Sequence, residues 1–129
     1  MADKIVYGSK PLYYYYQREN SISRTKTIHE ASIEGSRQML EFVTQRFPAI
    51  INEAATAYAF ENIGTYNSYI KYHQKCSSEL RKRIKHNVRI NIKCILRNKS
   101  IRIFKKVQAL IFCVSQTLYA NIFYLLKEN

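Results

Sequence analysis

The chain has 129 residues, of which 47% are hydrophobic, with only three glycines and two prolines. That composition excludes an intrinsically disordered polymer and a many-turned all-β fold, and it leaves long helices. Twenty-one Lys and Arg against nine Asp and Glu give a net charge of +12, which calls for a polyanionic neighbour: nucleic acid, an anionic membrane surface or a phosphorylated substrate.

Taken in order, Met1-Ala2-Asp3-Lys4 and the short run Ile5, Val6, Tyr7 hold no apolar stretch of signal-peptide length before Gly8. Residues 4–7 read as a short strand, Gly8-Ser9-Lys10-Pro11 as a turn, and residues 12–17 as a second strand. Tyrosine favours extended structure and Pro11 is tolerated at a strand entry. Two short strands are barely stable alone, so they read as the edge of a larger sheet that the chain does not contain. Residues 18–26 are polar and irregular. Thr27-Ile28-His29-Glu30 then has the form of a capping box, which predicts a first helix running to Phe47 and stopped by Pro48. Its core side is Ile33, Ser36, Leu40, Val43 and Phe47, with Gly35 weakening it slightly.

A second helix is predicted over residues 49–73, with Ile51, Ala54, Ala55, Tyr58, Tyr66, Tyr69, Ile70 and His73 at helical spacing. Gly64 marks a kink in this reading, and His73 reads as a satisfied core histidine. Ser77 is a suitable cap for a third helix, with Glu79 in its first turn. Leu80, Ile84, Val88, Ile92 and Ile95 form an apolar stripe. Lys82, Lys85, Arg89, Lys93 and Arg97 form a basic stripe beside it.

After Ser100, the residues Phe104, Val107, Ile111, Val114, Leu118, Ile122 and Leu125 repeat at alternating spacings of three and four, which predicts a seam that is either buried or membrane-facing. Residues 107–126 carry no charge, yet Gln108, Ser115, Gln116, Thr117 and Asn121 argue against a spanning helix. A break near Ser115-Gln116 into two amphipathic helices fits better. The expected fold is therefore mainly α: a strand pair and loop at residues 1–26, then four or five helices over residues 27–129.

No glycine-rich phosphate loop, G-x-S-x-G or H-E-x-x-H is present, and Asp3 is the only aspartate. Cys76, Cys94 and Cys113 are odd in number and widely spaced, which fits free thiols in a reducing cytosol rather than a disulfide framework or a zinc site. His73 and Cys76 have H-x-x-C spacing with no second half-site. Two places remain for function. Arg18, Ser21 and Ser23, with Asn20, lie in a polar loop that could bind a phosphate or sugar, although the chemistry alone favours a plain surface loop after an edge strand. The basic stripe at Lys82, Lys85, Arg89, Lys93 and Arg97 reads most plainly as a solvated helix face, the usual place of a charge run; followed by an amphipathic tail, it also suits the anionic cytoplasmic face of a membrane, and does so better than nucleic acid. The tyrosines are not interleaved with the basic residues as base-stacking would require.

The run Lys4-Ile5-Val6-Tyr7, a turn, Lys10-Pro11-Leu12-Tyr13-Tyr14-Tyr15 and Gln17-Arg18-Glu19-Asn20-Ser21-Ile22-Ser23 resembles the end of the catalytic domain of family-2 glycosyltransferases, bacterial enzymes of polysaccharide assembly. The helical remainder, with Gln116-Thr117-Leu118-Tyr119, is similar to their C-terminal extension. The resemblance implies a GT-A α/β fold, a nucleotide-sugar donor, a divalent magnesium or manganese ion, and a glycan or lipid-linked acceptor at the inner face of the membrane. It also implies that the D-x-D metal motif and the carboxylate base lie upstream of the matching segment. The chain would then be inactive alone and would partner a missing N-terminal catalytic half. Only Arg18, Ser21 and Ser23 carry over, as residues bordering the donor and acceptor cleft.

Overall fold

The computed structural model describes residues 28–128, with side-chain surroundings through residue 123. Six α-helices follow one another: α1 (Ala31–Arg46), α2 (Ile51–Lys71), α3 (Ser78–Ile90), α4 (Ile92–Arg97), α5 (Ile103–Val114) and α6 (Gln116–Glu128), with one 3-10 turn at Pro48–Ile50. The mainly α expectation is met. The strand pair, the loop bearing Arg18, Ser21 and Ser23, and Thr27 of the capping box lie outside the described residues.

Helix α1 starts at Ala31, and Glu30 precedes it without a side-chain cap bond. The Glu30 carboxylate instead accepts from the Tyr69 hydroxyl on α2. Ile33 and Val43 are buried, whereas Phe47 is exposed at the helix end with its ring against Phe42, 5.8 Å between centroids. The expected core role of Phe47 is corrected accordingly: the chain turns at Phe47 (φ −138°) into Pro48, and this carries the ring off the helix face.

Helix α2 is the centre of the fold and packs against α1, α3, α4 and α5. Four neighbours explain why Thr56, Asn62 and Thr65 are buried along with Ala55, Tyr58, Ala59, Ile63 and Tyr66. The helix runs unbroken through Gly64, so the expected interruption is absent. His73 is exposed rather than in the core. Its φ of 53° places it in the left-handed position after the helix. Its amide donates to Ile70 O (3.2 Å) and the Gln74 amide to Tyr69 O (3.0 Å), the paired bonds that close a Schellman motif.

Ser77 caps α3 as the sequence predicts, accepting from the Leu80 amide at 3.1 Å. The third predicted helix is two. At Asn91 the side-chain Nδ2 donates to Asn87 O (2.8 Å), and the backbone amide turns to Val88 O (3.2 Å). The side chain thus takes the acceptor that a continuing helix would use, and α4 restarts at Ile92. The predicted division at Ser115 is present: α5 ends at Val114 and α6 begins at Gln116. No helix among the described residues is long and apolar enough to cross a membrane.

The core lies where α2, α3, α4 and the α5–α6 hairpin meet. Ile63, Ile84, Val88, Ile95 and Phe112 are fully buried there, each contributing roughly 1.5–3 kcal/mol by removal from water. Phe112 sits edge-on to both Tyr66 (5.3 Å) and Tyr119 (5.0 Å). Buried amides fix the register. Asn62 Oδ1 accepts from Asn87 Nδ2 at 2.9 Å, Asn98 Nδ2 donates to Thr56 Oγ1 at 3.1 Å, and Gln116 Nε2 donates to Arg81 O at 3.0 Å. Burial and these bonds agree, because an amide without a partner at such positions costs about 1–3 kcal/mol.

Candidate membrane-facing surface

Leu80, Ile84 and Val88 turn one side of α3 into the core, so the positions opposite them face outward. Lys82, Lys85, His86, Arg89 and Ile90 line a single open concavity of about 340 Å³. Three of the five basic residues singled out in the sequence are thereby brought together. Lys93 and Arg97 are exposed on α4 and extend the cationic strip without lining the concavity. His86 and Ile90 were not singled out. His86 lies four residues after Lys82 on the same helix, a spacing that identifies it as a neighbour. Arg83 belongs elsewhere: with Asn87 it lines a smaller recess beside Glu30, Glu34 and Arg37 of α1.

That recess brings charges of both signs together, whereas along the chain they are unevenly divided. Residues 28–70 contain five Glu and two Arg, whereas residues 71–106 contain thirteen Lys and Arg and one Glu. On α1, Arg37 binds both Glu34 (2.7 Å) and Glu41. Hydrogen bonds from Arg37 first, and from Gln38, lower the Glu34 carboxyl to about 2. Among the described residues the strip on α3 and α4 makes no salt bridge, so its charges remain available to an external anion.

Helix α5 is fastened alongside this strip. The Lys85 ammonium donates to Val114 O at 3.3 Å, and the Lys106 ammonium donates to Leu96 O at 2.7 Å. Each lysine satisfies a carbonyl in the last turn of a helix, where cations are favoured. Of α5, the core takes Ala109 and Phe112, and beyond the break it takes Gln116 and Tyr119. The bulky seam identified in the sequence is therefore largely on the outside. Phe104 (61% exposed), Val107, Val114 (75%) and Leu118 face solvent, together with Ile103 (80%) and Leu110. Ile111 and Ile122 are half-buried. Of the two readings left open for the seam, buried or membrane-facing, burial is excluded for most of it. Ile103, Val107, Leu110 and Val114 recur at helical spacing on one face of α5, so the exposed residues form a ridge rather than a scatter.

The His, Cys and acidic side chains are dispersed among the described residues. Among the described residues no three His, Cys, Asp or Glu side chains come together, and Asp3 lies outside them. Cys76, Cys94 and Cys113 are half-buried and unbridged. Burial pushes the Cys113 thiol up, against the opposing pull of Arg89 and Lys85, and burial does the same to Cys76. Both are therefore kept as thiols rather than as nucleophilic thiolates. Comparison of the chain with protein-family models, with curated proteins and with solved structures finds no match.

Proposed function

We propose that residues 28–128 form a helical docking module for an anionic membrane surface, and that the chain serves as the C-terminal portion of a family-2 glycosyltransferase. The observation that carries the docking reading is the exposure of the α5 ridge directly beside the cationic strip of α3 and α4. The ridge supplies apolar area at the headgroup boundary. Lys82, Lys85, Arg89, Lys93 and Arg97 supply attraction of about 1 kcal/mol each near an anionic leaflet. The glycosyltransferase reading rests on residues 4–23. In such an enzyme the module would hold the nucleotide-sugar site near an acceptor at the inner face of the membrane, while the metal and the base are supplied by the missing catalytic half.

Sedimentation with phosphatidylglycerol vesicles tests the docking. The protein binds at low salt, binds phosphatidylcholine vesicles far less, and is released as salt rises. Lys82→Gln with Arg89→Gln removes two charges and weakens binding roughly thirtyfold. Absence of binding at low salt refutes the reading. For the enzyme assignment, a neighbouring reading frame encoding a D-x-D nucleotide-sugar domain is expected, and mixing the two polypeptides should give sugar transfer. Turnover by this chain alone would contradict the assignment. A second reading keeps the module as a non-enzymatic membrane-surface protein. The same exposed ridge favours it, and it predicts vesicle binding with no catalytic partner.

A further inference from the structure

The α5–α6 hairpin encloses a second, chemically different cavity. It measures about 400 Å³ and is lined by Phe104, Val107, Ile111, Ile122 and Phe123, with Lys105, Gln108 and Tyr119 as its polar members. This size falls within the roughly 300–1,000 Å³ of small-molecule sites, and a mostly apolar wall with few polar groups is their usual character. The helices run antiparallel from the turn at Ser115. Ile111 and Tyr119 therefore mark the end near the turn, and Phe104, Lys105 and Phe123 the far end. The groove runs along two helices and has one cation, Lys105, at its far end.

Three observations bear on the occupant. Lys105 has no salt-bridge partner among the described residues, and its ammonium rests over the Phe60 ring at 5.4 Å. It is thus placed against α2 with no carboxylate paired to it among the described residues. Phe104 and Val107 belong both to the groove wall and to the exposed ridge, so the slot opens onto the surface assigned to the membrane. Finally, Gln108 Nε2 donates to the Tyr119 hydroxyl (2.8 Å), which donates to Asn67 Oδ1 (2.9 Å), and this leaves Gln108 Oε1 buried without a partner. Exchanging the two ends of the Gln108 amide only moves the orphan to the nitrogen. A buried polar orphan is costly, and this one adjoins the groove.

We infer that the α5–α6 groove takes one acyl chain of an anionic phospholipid, with the headgroup phosphate at Lys105. The inference rests on the membrane-docking reading and deepens it: the ridge lies on the bilayer while the groove withdraws a single chain from it. Charge complementarity selects the anionic lipid. Continuity of Phe104 and Val107 with the ridge selects a chain arriving from the membrane rather than a soluble metabolite.

The test uses the full chain, a dansyl-labelled fatty acid as the probe, and lysophosphatidylglycerol below its critical micelle concentration as the competitor. Probe emission is expected to rise on binding and to fall as the competitor displaces it. Ile122→Trp and, separately, Ile111→Phe fill the slot and weaken the probe about tenfold, while sedimentation with phosphatidylglycerol vesicles is retained. Circular dichroism checks that each variant is folded. Lys105→Glu weakens the probe and the competitor but leaves displacement by a neutral long-chain alcohol intact. An unchanged probe affinity in both folded slot-filling variants overturns the inference. So does a wild-type dimer that Ile122→Trp converts to a monomer, since a second copy then occupies the groove. Probe binding without vesicle binding sinks the docking reading alone, and vesicle binding without probe binding sinks the groove alone.

Discussion

Replacing Phe112 is the most direct probe of how the surface is supported. Its ring is fully buried and lies edge-on to Tyr66 of α2 and to Tyr119 of α6, so one side chain ties three helices together. Phe112→Ala removes the apolar burial of the ring and leaves a cavity between α2 and the hairpin, a change that costs about 3–5 kcal/mol in comparable cores. The two edge contacts account for about 0.5–1.5 kcal/mol each within that sum. Phe112→Leu keeps most of the volume and loses mainly the ring contacts, so it should cost about 1–2 kcal/mol. A domain of this size has on the order of 5–15 kcal/mol in total, so the alanine variant loses a large fraction of its stability. Urea unfolding followed by far-ultraviolet circular dichroism reads both changes. With a slope of about 2 kcal/mol per molar urea, the alanine midpoint falls by roughly 2 M and the leucine midpoint by less than half of that. An alanine cost below about 1 kcal/mol, or equal costs for Ala and Leu, would refute the placement of Phe112 as the three-helix contact.

Two further outcomes follow from the packing of α2. A Cβ at Gly64 meets nothing within 4 Å, and the helix is continuous there; Gly64→Ala should therefore raise stability by about 0.5–1 kcal/mol in urea unfolding, and a loss would contradict an unstrained α2 at that point. Burial raises the phenols of Tyr58, Tyr66 and Tyr119, and the hydrogen bond to Glu30 takes Tyr69 to about 12. Because these folded values lie above the unfolded value of about 10, the associated stability is complete below pH 10 and is lost as pH rises through each folded value, which for Tyr69 is about 12. Phenolate absorbance should show a late-titrating group that disappears in Tyr69→Phe, and a wild-type profile with every tyrosine ionising near pH 10 would contradict the assignment.

What could be read from the sequence depended on whether the deciding interaction was local. Ser77, Leu80, Ile84 and Val88 lie within a dozen residues, so the cap and buried stripe of α3 were legible. The polar pair Ser115-Gln116 likewise marked the hairpin turn. The split at Asn91 was not legible. An asparagine back-bonding to Asn87 becomes decisive only once it is buried against other helices. In α5 and α6 two helical phases compete. The bulky one, through Phe104, Val107, Val114 and Leu118, satisfies the spacing rule, but the core uses Ala109, Phe112, Gln116 and Tyr119. A small residue and a glutamine conceal that phase from a hydrophobicity pattern. Yet Ala109 permits close approach, and Gln116 reaches the Arg81 carbonyl. For the surface, charge identity and helical spacing were sufficient to find Lys82, Lys85 and Arg89, while the contribution of Ile90 required knowing which side of α3 is free. Arg18, Ser21 and Ser23 remain assigned by resemblance.

The segregation of charge between α1–α2 and α3–α5 has a kinetic consequence. On the docking reading, the exposed cationic strip of α3 and α4 is drawn toward a negative leaflet ahead of the rest of the protein, which amounts to a torque. The protein therefore turns before it touches, provided it comes within the screening distance of about 8 Å at physiological ionic strength. On that reading, orientation and capture would be governed by salt-dependent arrival rates, whereas the lifetime of the docked state would be governed by the apolar ridge and would respond weakly to salt. A stopped-flow measurement on vesicles would separate the two, with salt acting on association and ridge substitutions acting on dissociation.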